Sequence, residues 1–312
     1  MDDVRSRDRF ASSFQKKRIL WHPHTIALAS LGLGLLASQA HSQTRAEVPE
    51  PTLVWHDEFD GPEGAPPDPT RWTVAIGDGS AHGIPGWGNE ELEYYTDASD
   101  NTALDGKGHL VITARRSESK LPCYYGPCTF TSARVLSQHK AAFQYGRIEA
   151  RIRVPRGAGL WPAFWSLGTN IEAAGWPACG EIDIMEFVGR APKDVFGTLH
   201  GPGYSGAEGI GQTHSFEVGV YEDFHVFAVE WRLSRIDWYV DGVEYHSASP
   251  QDVAPDPWVF RQPFFLLLNL AVGGHFGGPV SDETPFPAHM LVDYVRVYAP
   301  PDESTAPVAG DR

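Results

Sequence analysis

Cysteine is scarce. There are three in 312 residues, Cys123, Cys128 and Cys179, and no Cys-x-x-Cys pair among them. That excludes the common structural zinc sites. No stretch repeats apolar residues at helical spacing over a useful length, which argues against a helical bundle. Long apolar runs are missing too: the run from Ile26 to Ala37 is interrupted by Gly and Ser and is short for a membrane span. Positive charge is in deficit, with 25 Lys and Arg against 40 Asp and Glu and a net charge of −15. Residues 1–40 carry six basic and three acidic side chains, so the remainder holds 19 against 37, or −18. A surface of that sign repels polyanions. Nucleic acid and heavily sulfated glycans are thereby disfavoured as partners, while a neutral polymer is not. No internal repeat is present.

Turn formers and core formers are plentiful. Gly 32 and Pro 25 mark many turns, and 42% hydrophobic residues suffice for a sizeable core. From Tyr145 to Val154, Ile148, Ala150, Ile152 and Val154 alternate with charged residues, the pattern of a half-buried strand. Phe227, Val229 and Trp231 share one face of another strand. Ile236 to Tyr245 reads as a hairpin turning at Asp241-Gly242, a type I′ signal. Phe264 to Leu268 is continuously apolar, hence buried on both faces. In the last strand Leu291, Val295 and Val297 are expected on one face, alternating with Val292, Tyr294 and Arg296. Many short strands over about 250 residues predict an all-β sandwich of two sheets.

At the N-terminus, Lys16-Lys17-Arg18, the apolar run and Ser38-Gln39-Ala40 read as a secretory signal peptide over 1–40, an uncleaved anchor being the alternative. Residues 41–51 read as a linker, 52–300 as one domain and 301–312 as a polar, disordered tail. In a secreted, extracellular or periplasmic protein, Cys123 and Cys128 would close the Tyr-Tyr-Gly-Pro loop between them. Three free thiols are the alternative.

The chemistry concentrates in Gly180-Glu181-Ile182-Asp183-Ile184-Met185-Glu186-Phe187. In a strand, side chains alternate faces. Ile182 and Ile184 then enter a core, while Glu181 and Asp183 point away. Strict alternation would bury Glu186 beside the isoleucines, at high cost. A β-bulge at or near Met185 restores the phase and puts all three acids on one face. Glu181 and Glu186 are then spaced like i and i+4, roughly 13 Å between Cα atoms at ~3.3 Å per residue. Side chains leaning together reduce that towards the ~5–5.5 Å between carboxyls of a retaining glycosidase. The strand then suits one of Glu181 and Glu186 as nucleophile and the other as proton donor, with Asp183 between them. A solvated acidic edge or a metal site are the competing readings.

This bulged Glu-x-Asp-x-x-Glu run resembles the signature of glycoside hydrolase family 16. Trp161-Pro162-Ala163-Phe164-Trp165 and Trp176-Pro177-Ala178-Cys179-Gly180 are similar to its laminarinase (endo-β-1,3-glucanase) branch, and the similarity runs from about Trp55 to Tyr298. The resemblance implies a concanavalin-like β-jelly roll of two antiparallel sheets with a concave substrate cleft. It also implies a secreted, monomeric, retaining hydrolase of β-glucan polysaccharide. It assigns substrate contacts to Asn89, in Gly86-Trp87-Gly88-Asn89; to Arg134, in Thr131-Ser132-Ala133-Arg134; to Trp161, Trp165 and Trp176; and to His200, in Gly197-Thr198-Leu199-His200. No cofactor is implied for catalysis. A structural calcium is implied at Glu58, a carbonyl near Gly108, and Asp293, away from the cleft. Mixed-linkage β-1,3-1,4-glucan or agarose are alternative substrates. Non-catalytic β-glucan-binding proteins look like the family without its acids, and all three acids are present here.

Overall fold

The computed structural model describes residues 51–118 and 120–300. The expected signal peptide over 1–40 and tail over 301–312 lie outside the described residues, as does the linker except for Pro51. In chain order the strands are β1 Leu53–Asp57, β2 Thr73–Val74, β3 Glu93–Tyr95, β4 Thr102–Leu104, β5 Leu110–Arg116, β6 Pro122–Cys123 and β7 Gly126–Pro127. Next come β8 Phe130–Ser132, β9 Arg134–Leu136, β10 Gly146–Arg153, β11 Leu160–Gly168, β12 Glu181–Phe187 and β13 Asp194–His200. The last six are β14 Ile210–Ser215, β15 His225–Arg232, β16 Arg235–Val240, β17 Val243–Ala248, β18 Phe264–Val272 and β19 Ala288–Tyr298. Among the described residues, the three α-helices are four residues each.

The strands form two large sheets. One runs β17-β16-β15-β10-β19-β5-β8-β3, with β1 on β19 and β4 on β5; the other runs β14-β13-β12-β11-β18-β9-β2. Pairing is antiparallel except between β3 and β8. This is the expected jelly-roll sandwich. Its core joins Ile148, Ala150 and Ile152 of β10 to Phe164, Ile182, Ile184, Leu266 and Leu268 of the seven-stranded sheet. The predicted hairpin forms as β16 and β17, and Asp241 and Gly242 both take positive φ, 49° and 79°, as a type I′ turn demands.

The apolar run is longer than the sequence suggested. All nine residues of β18 are buried, including Asn269. Phe264, Leu266, Leu268, Leu270 and Val272 face the sandwich core. Phe265 and Leu267 face outwards and join Leu167 and Cys179 in a second, smaller cluster on the outer face.

The last strand departs from the expected phase. Met290, Val292, Val295 and Val297 are in the core, and Leu291 is only half-buried. The reason is a bulge: Arg151 faces Tyr294 but Ile152 faces Val292, so Asp293 has no direct partner on β10. One extra residue shifts the alternation by one.

Candidate active site

Strand β12 lies inside the seven-stranded sheet, between β13 and β11. On the β13 side, Asp183 faces Thr198 and Glu186 faces Phe196, so Ile184 and Met185 together span the single Gly197. On the β11 side, Asp183 faces Trp165 and Met185 faces Phe164, leaving Ile184 as the extra residue. The expected bulge is therefore present, at Ile184-Met185. Both of these side chains, with Ile182 and Phe187, enter the core. Glu181, Asp183 and Glu186 are left on the other face. Gly197 matches this arrangement, since a Cβ there would collide with the Trp238 ring and lie 2.5 Å from the Tyr245 hydroxyl.

Each acid has its own neighbour. The Trp176 indole donates to Glu181 Oε2 at 2.7 Å, and Trp161 donates to Glu186 Oε1 at 3.0 Å. His200, directly opposite Glu181 on β13, stands with Nε2 3.1 Å from Asp183 Oδ2. Trp161 meets Phe276 edge-on, and Trp176 is half exposed, with its ring 6.2 Å from His200. The structure thus brings Trp161, Trp176 and His200 to the three acids.

Burial raises the pKa of all three acids, because it penalises the ionised form. Glu181 is pushed up to about 8, by burial first and Asp183 second. Asp183 is pushed up to about 7, chiefly by burial. Glu186 is raised well above its ordinary value by burial, and then by repulsion from both Asp183 and Glu181. An indole N–H and His200 favour the anion of each glutamate; the difference between the two is that Glu186 is repelled by both other acids.

Arg134, Trp165 and Asn89 lie further along the same face. Antiparallel register places Glu186, Ala163, Asn269 and Arg134 in one row across β12, β11, β18 and β9. The Arg134 guanidinium is stacked between two indoles, 4.5 Å from the Trp87 ring and 4.8 Å from that of Trp165. Trp165 donates to Asn269 Oδ1 at 2.7 Å, and Asn269 donates to the Tyr95 hydroxyl at 3.2 Å. Tyr95 in turn donates to Glu91 Oε2 at 3.2 Å, and Asn89 donates to Glu91 Oε1 at 3.0 Å. Glu93, wholly buried, accepts from the Val272 amide at 2.7 Å. Its pKa is raised well above the ordinary value by burial and by Glu91.

Glu91, Glu93, Tyr95 and Asn269 were not anticipated as a network. One signal was available: a buried Asn inside an apolar strand needs a partner. The partners themselves come from distant segments and have no local signature.

Cys123 and Cys128 are disulfide-bonded, and Cys179 is free and buried beside Gly180. Of the residues expected around a calcium, Asp293 lies on β19 of the ten-stranded sheet, and Glu58 and Gly108 lie in the loops after β1 and before β5. Both Glu58 carboxylate oxygens accept from Arg296, at 2.9 and 2.8 Å, and Asp293 Oδ2 accepts from Arg151 at 2.6 Å. A Cβ on Gly108 would lie 3.9 Å from the Glu58 carbonyl oxygen. Asp293 Oδ1 lies 4.0 Å from His109 Nε2, and the Glu58 carboxylate is already matched by a guanidinium. Among the described residues, one side-chain cluster has metal-ligand spacing: Glu181, Asp183 and His200, with one ligand atom of each within 4.8 Å of the others.

The family model described as "Glycosyl hydrolases family 16" matches residues 90–296, more than half of the chain. That range includes the three acids, Arg134, the three tryptophans and His200, and stops just short of Asn89. A β-glucanase of Rhodothermus marinus is 42% identical over 284 residues, covering 88% of this chain and 93% of that one. The endo-β-1,3-glucanase of Pyrococcus furiosus superposes with a TM-score of 0.75 at 49% identity, covering 79% of this chain and 94% of that one. The laminarinase catalytic domain of Thermotoga maritima gives a TM-score of 0.75 at 47% identity, covering 80% and 98%.

Proposed function

Because the chain belongs to glycoside hydrolase family 16 and is a glycoside hydrolase, we propose that it is a secreted, monomeric, retaining endo-β-1,3-glucanase cleaving laminarin-type β-glucans. The observation that carries the reading is the bulge-aligned row of Glu181, Asp183 and Glu186, with an indole N–H on each glutamate. The activities named for the Pyrococcus and Thermotoga relatives support the substrate class.

In this reading Glu181 attacks the anomeric carbon. The bond to the leaving sugar breaks, and Glu186 gives its proton to the departing oxygen. Glu186 then takes a proton from water, which attacks the same carbon and frees Glu181. Two inversions leave the configuration retained. Asp183, between the glutamates and beside His200, keeps Glu186 protonated until it is needed. Trp161, Trp165 and Trp176 supply faces for sugar C–H groups, and Asn89, Arg134 and His200 supply polar contacts. A structural calcium near Asp293 belongs to the same proposal and takes no part in any step.

The test is hydrolysis of laminarin, lichenan, agarose and carrageenan, with products sized and their anomers followed by NMR. Laminarin should be cleaved fastest, to short oligomers that appear first as the β-anomer. Faster cleavage of agarose or carrageenan, or an α-anomer first, would overturn it. Azide assigns the roles: Glu181→Ala should yield the α-azide and Glu186→Ala the β-azide, and reversed anomers would exchange the two assignments.

A further inference from the structure

The chain exposes two tyrosines, Tyr124 and Tyr125, at 42% and 38% of their surface. They form the tip of the hairpin made by β6 and β7, closed by the Cys123–Cys128 disulfide. The hairpin is not loose on the surface. The Tyr124 amide donates to Asp78 Oδ2 at 2.6 Å, and Asp78 is buried. The Asp78 carbonyl accepts from the Trp87 amide at 3.2 Å, so one residue ties the hairpin to the loop carrying Trp87. Gly86, next to Trp87, adopts a positive φ of 58°, and a Cβ there would lie 2.8 Å from Tyr124 Cε1. The Tyr124 ring therefore rests on the backbone of the Trp87 loop.

The two tyrosines are not equivalent. The Tyr125 hydroxyl is fully engaged: it donates to the Leu92 carbonyl at 2.6 Å and accepts from the Thr129 amide at 3.0 Å. Its ring meets Tyr124 edge-on, with centroids 5.1 Å apart and planes at 87°. Tyr125 is thus a buttress. Tyr124 is the ring it supports, and its hydroxyl has no partner among the described residues. The disulfide fixes this pose before any ligand arrives, which lowers the ordering cost of binding.

The hairpin is joined, through Gly86 and Trp87, to a row that begins at the acids. The row from Glu186 through Ala163 and Asn269 to Arg134 covers three strand spacings, roughly 14 Å at ~4.8 Å each. Trp87 stacks on Arg134, and Tyr124 packs against Gly86, the residue before Trp87. We propose that the disulfide-closed hairpin carries a distal sugar subsite, with the Tyr124 ring as the platform for one further unit of a neutral β-glucan chain. An apolar ring face with a free hydroxyl at its edge suits a pyranose, which offers C–H bonds on its face and hydroxyls around its rim. Nearby Asp78 and Glu90 disfavour a sulfated or uronic sugar there. The inference rests on the proposed glucanase reading.

The test is kcat/KM on β-1,3-gluco-oligosaccharides from three to eight units, for the wild-type protein, Tyr124→Ala and Tyr124→Phe. The advantage of the longest over the shortest substrate should shrink about 3- to 10-fold in Tyr124→Ala, the order of one aromatic contact. Tyr124→Phe should keep most of it. An unchanged length dependence would overturn the proposal, as would an equal loss at every length. If the wild-type protein cleaves none of the series, the glucanase reading fails instead. Affinity electrophoresis in laminarin then decides on the hairpin, and equal retardation of wild type and Tyr124→Ala overturns it.

Discussion

Glu186 and Phe196 face each other across β12 and β13 only because Ile184 and Met185 together occupy the span opposite Gly197. Were the intact strand to alternate strictly through this span, Glu186 would take the side that Ile184 and Met185 now fill.

Deleting Met185 should make Ile184 face Gly197 and leave Glu186 opposite Phe196, with all three acids still on one face. Met185 is fully buried, so a cavity should lower Tm, and hydrolysis should be weakened but measurable. Inserting Ala after Ile184 should turn Glu186 towards the core and abolish both activity and much of the stability. Circular dichroism with laminarin assays decides between these outcomes, and an unfolded deletion variant beside an active insertion variant would contradict the bulge's role.

Burial raises the folded-state pKa of Glu181 to about 8 from an ordinary 4.5. Between those values the folded protein binds more protons than the unfolded chain, so this site contributes less stability as pH rises. Glu181→Gln keeps an acceptor for Trp176 and removes the titration. Its Tm should exceed that of the wild type at pH 8, by about 2–4 °C for each kcal/mol of the titration removed, and the difference should vanish by pH 4. Calorimetry at both pH values checks it; no gain at pH 8 would show that the buried acid carries no such cost.

Trp161→Phe and Trp176→Phe remove indole donors that favour the anions of Glu186 and Glu181 respectively. Loss of either donor should raise the pKa of its acid. For Trp176→Phe the acidic limb of the pH–rate profile should move to higher pH, since Glu181 must be ionised to attack. For Trp161→Phe the alkaline limb should move to higher pH, since Glu186 must be protonated to donate. Each variant should also lose about 10-fold in kcat, from displaced carboxylates.

Dialysis against EDTA should leave laminarin hydrolysis unchanged, even though Glu181, Asp183 and His200 have metal-ligand spacing. A bound calcium near Asp293 would show separately, as a fall in Tm with activity at 25 °C retained. Activity lost to EDTA and restored by a divalent cation would make the three-residue cluster a catalytic metal site.

The bulge was legible because three acids in six residues cannot share a face with strict alternation, and the alternative buries a charge beside isoleucines. The second bulge, at Asp293, had no such signal. Leu291 and Val292 are both apolar, so either phase reads as plausible, and pairing with β10 makes the choice. Trp161, Trp176 and His200 were legible from local motifs and do gather at the acids, while Trp165 packs on Arg134 further along the face. The chain from Asn89 through Glu91, Tyr95 and Asn269 to Trp165 was not. Asn89, Glu91 and Tyr95 bond within one segment but meet Asn269 and Trp165 only through long-range pairing, and only the buried Asn269 hinted that a partner was required.

Trp238 belongs to β16 in the ten-stranded sheet, yet its indole donates to the Asp183 carbonyl at 2.8 Å, across the core and at the edge of the bulge. The strand that aligns the acids is therefore anchored to the opposite layer, and sliding of the layers cannot leave the acids in register. Heat should find no folded but inactive form on the way to unfolding. Catalytic competence and tertiary structure become one cooperative property, lost in one transition.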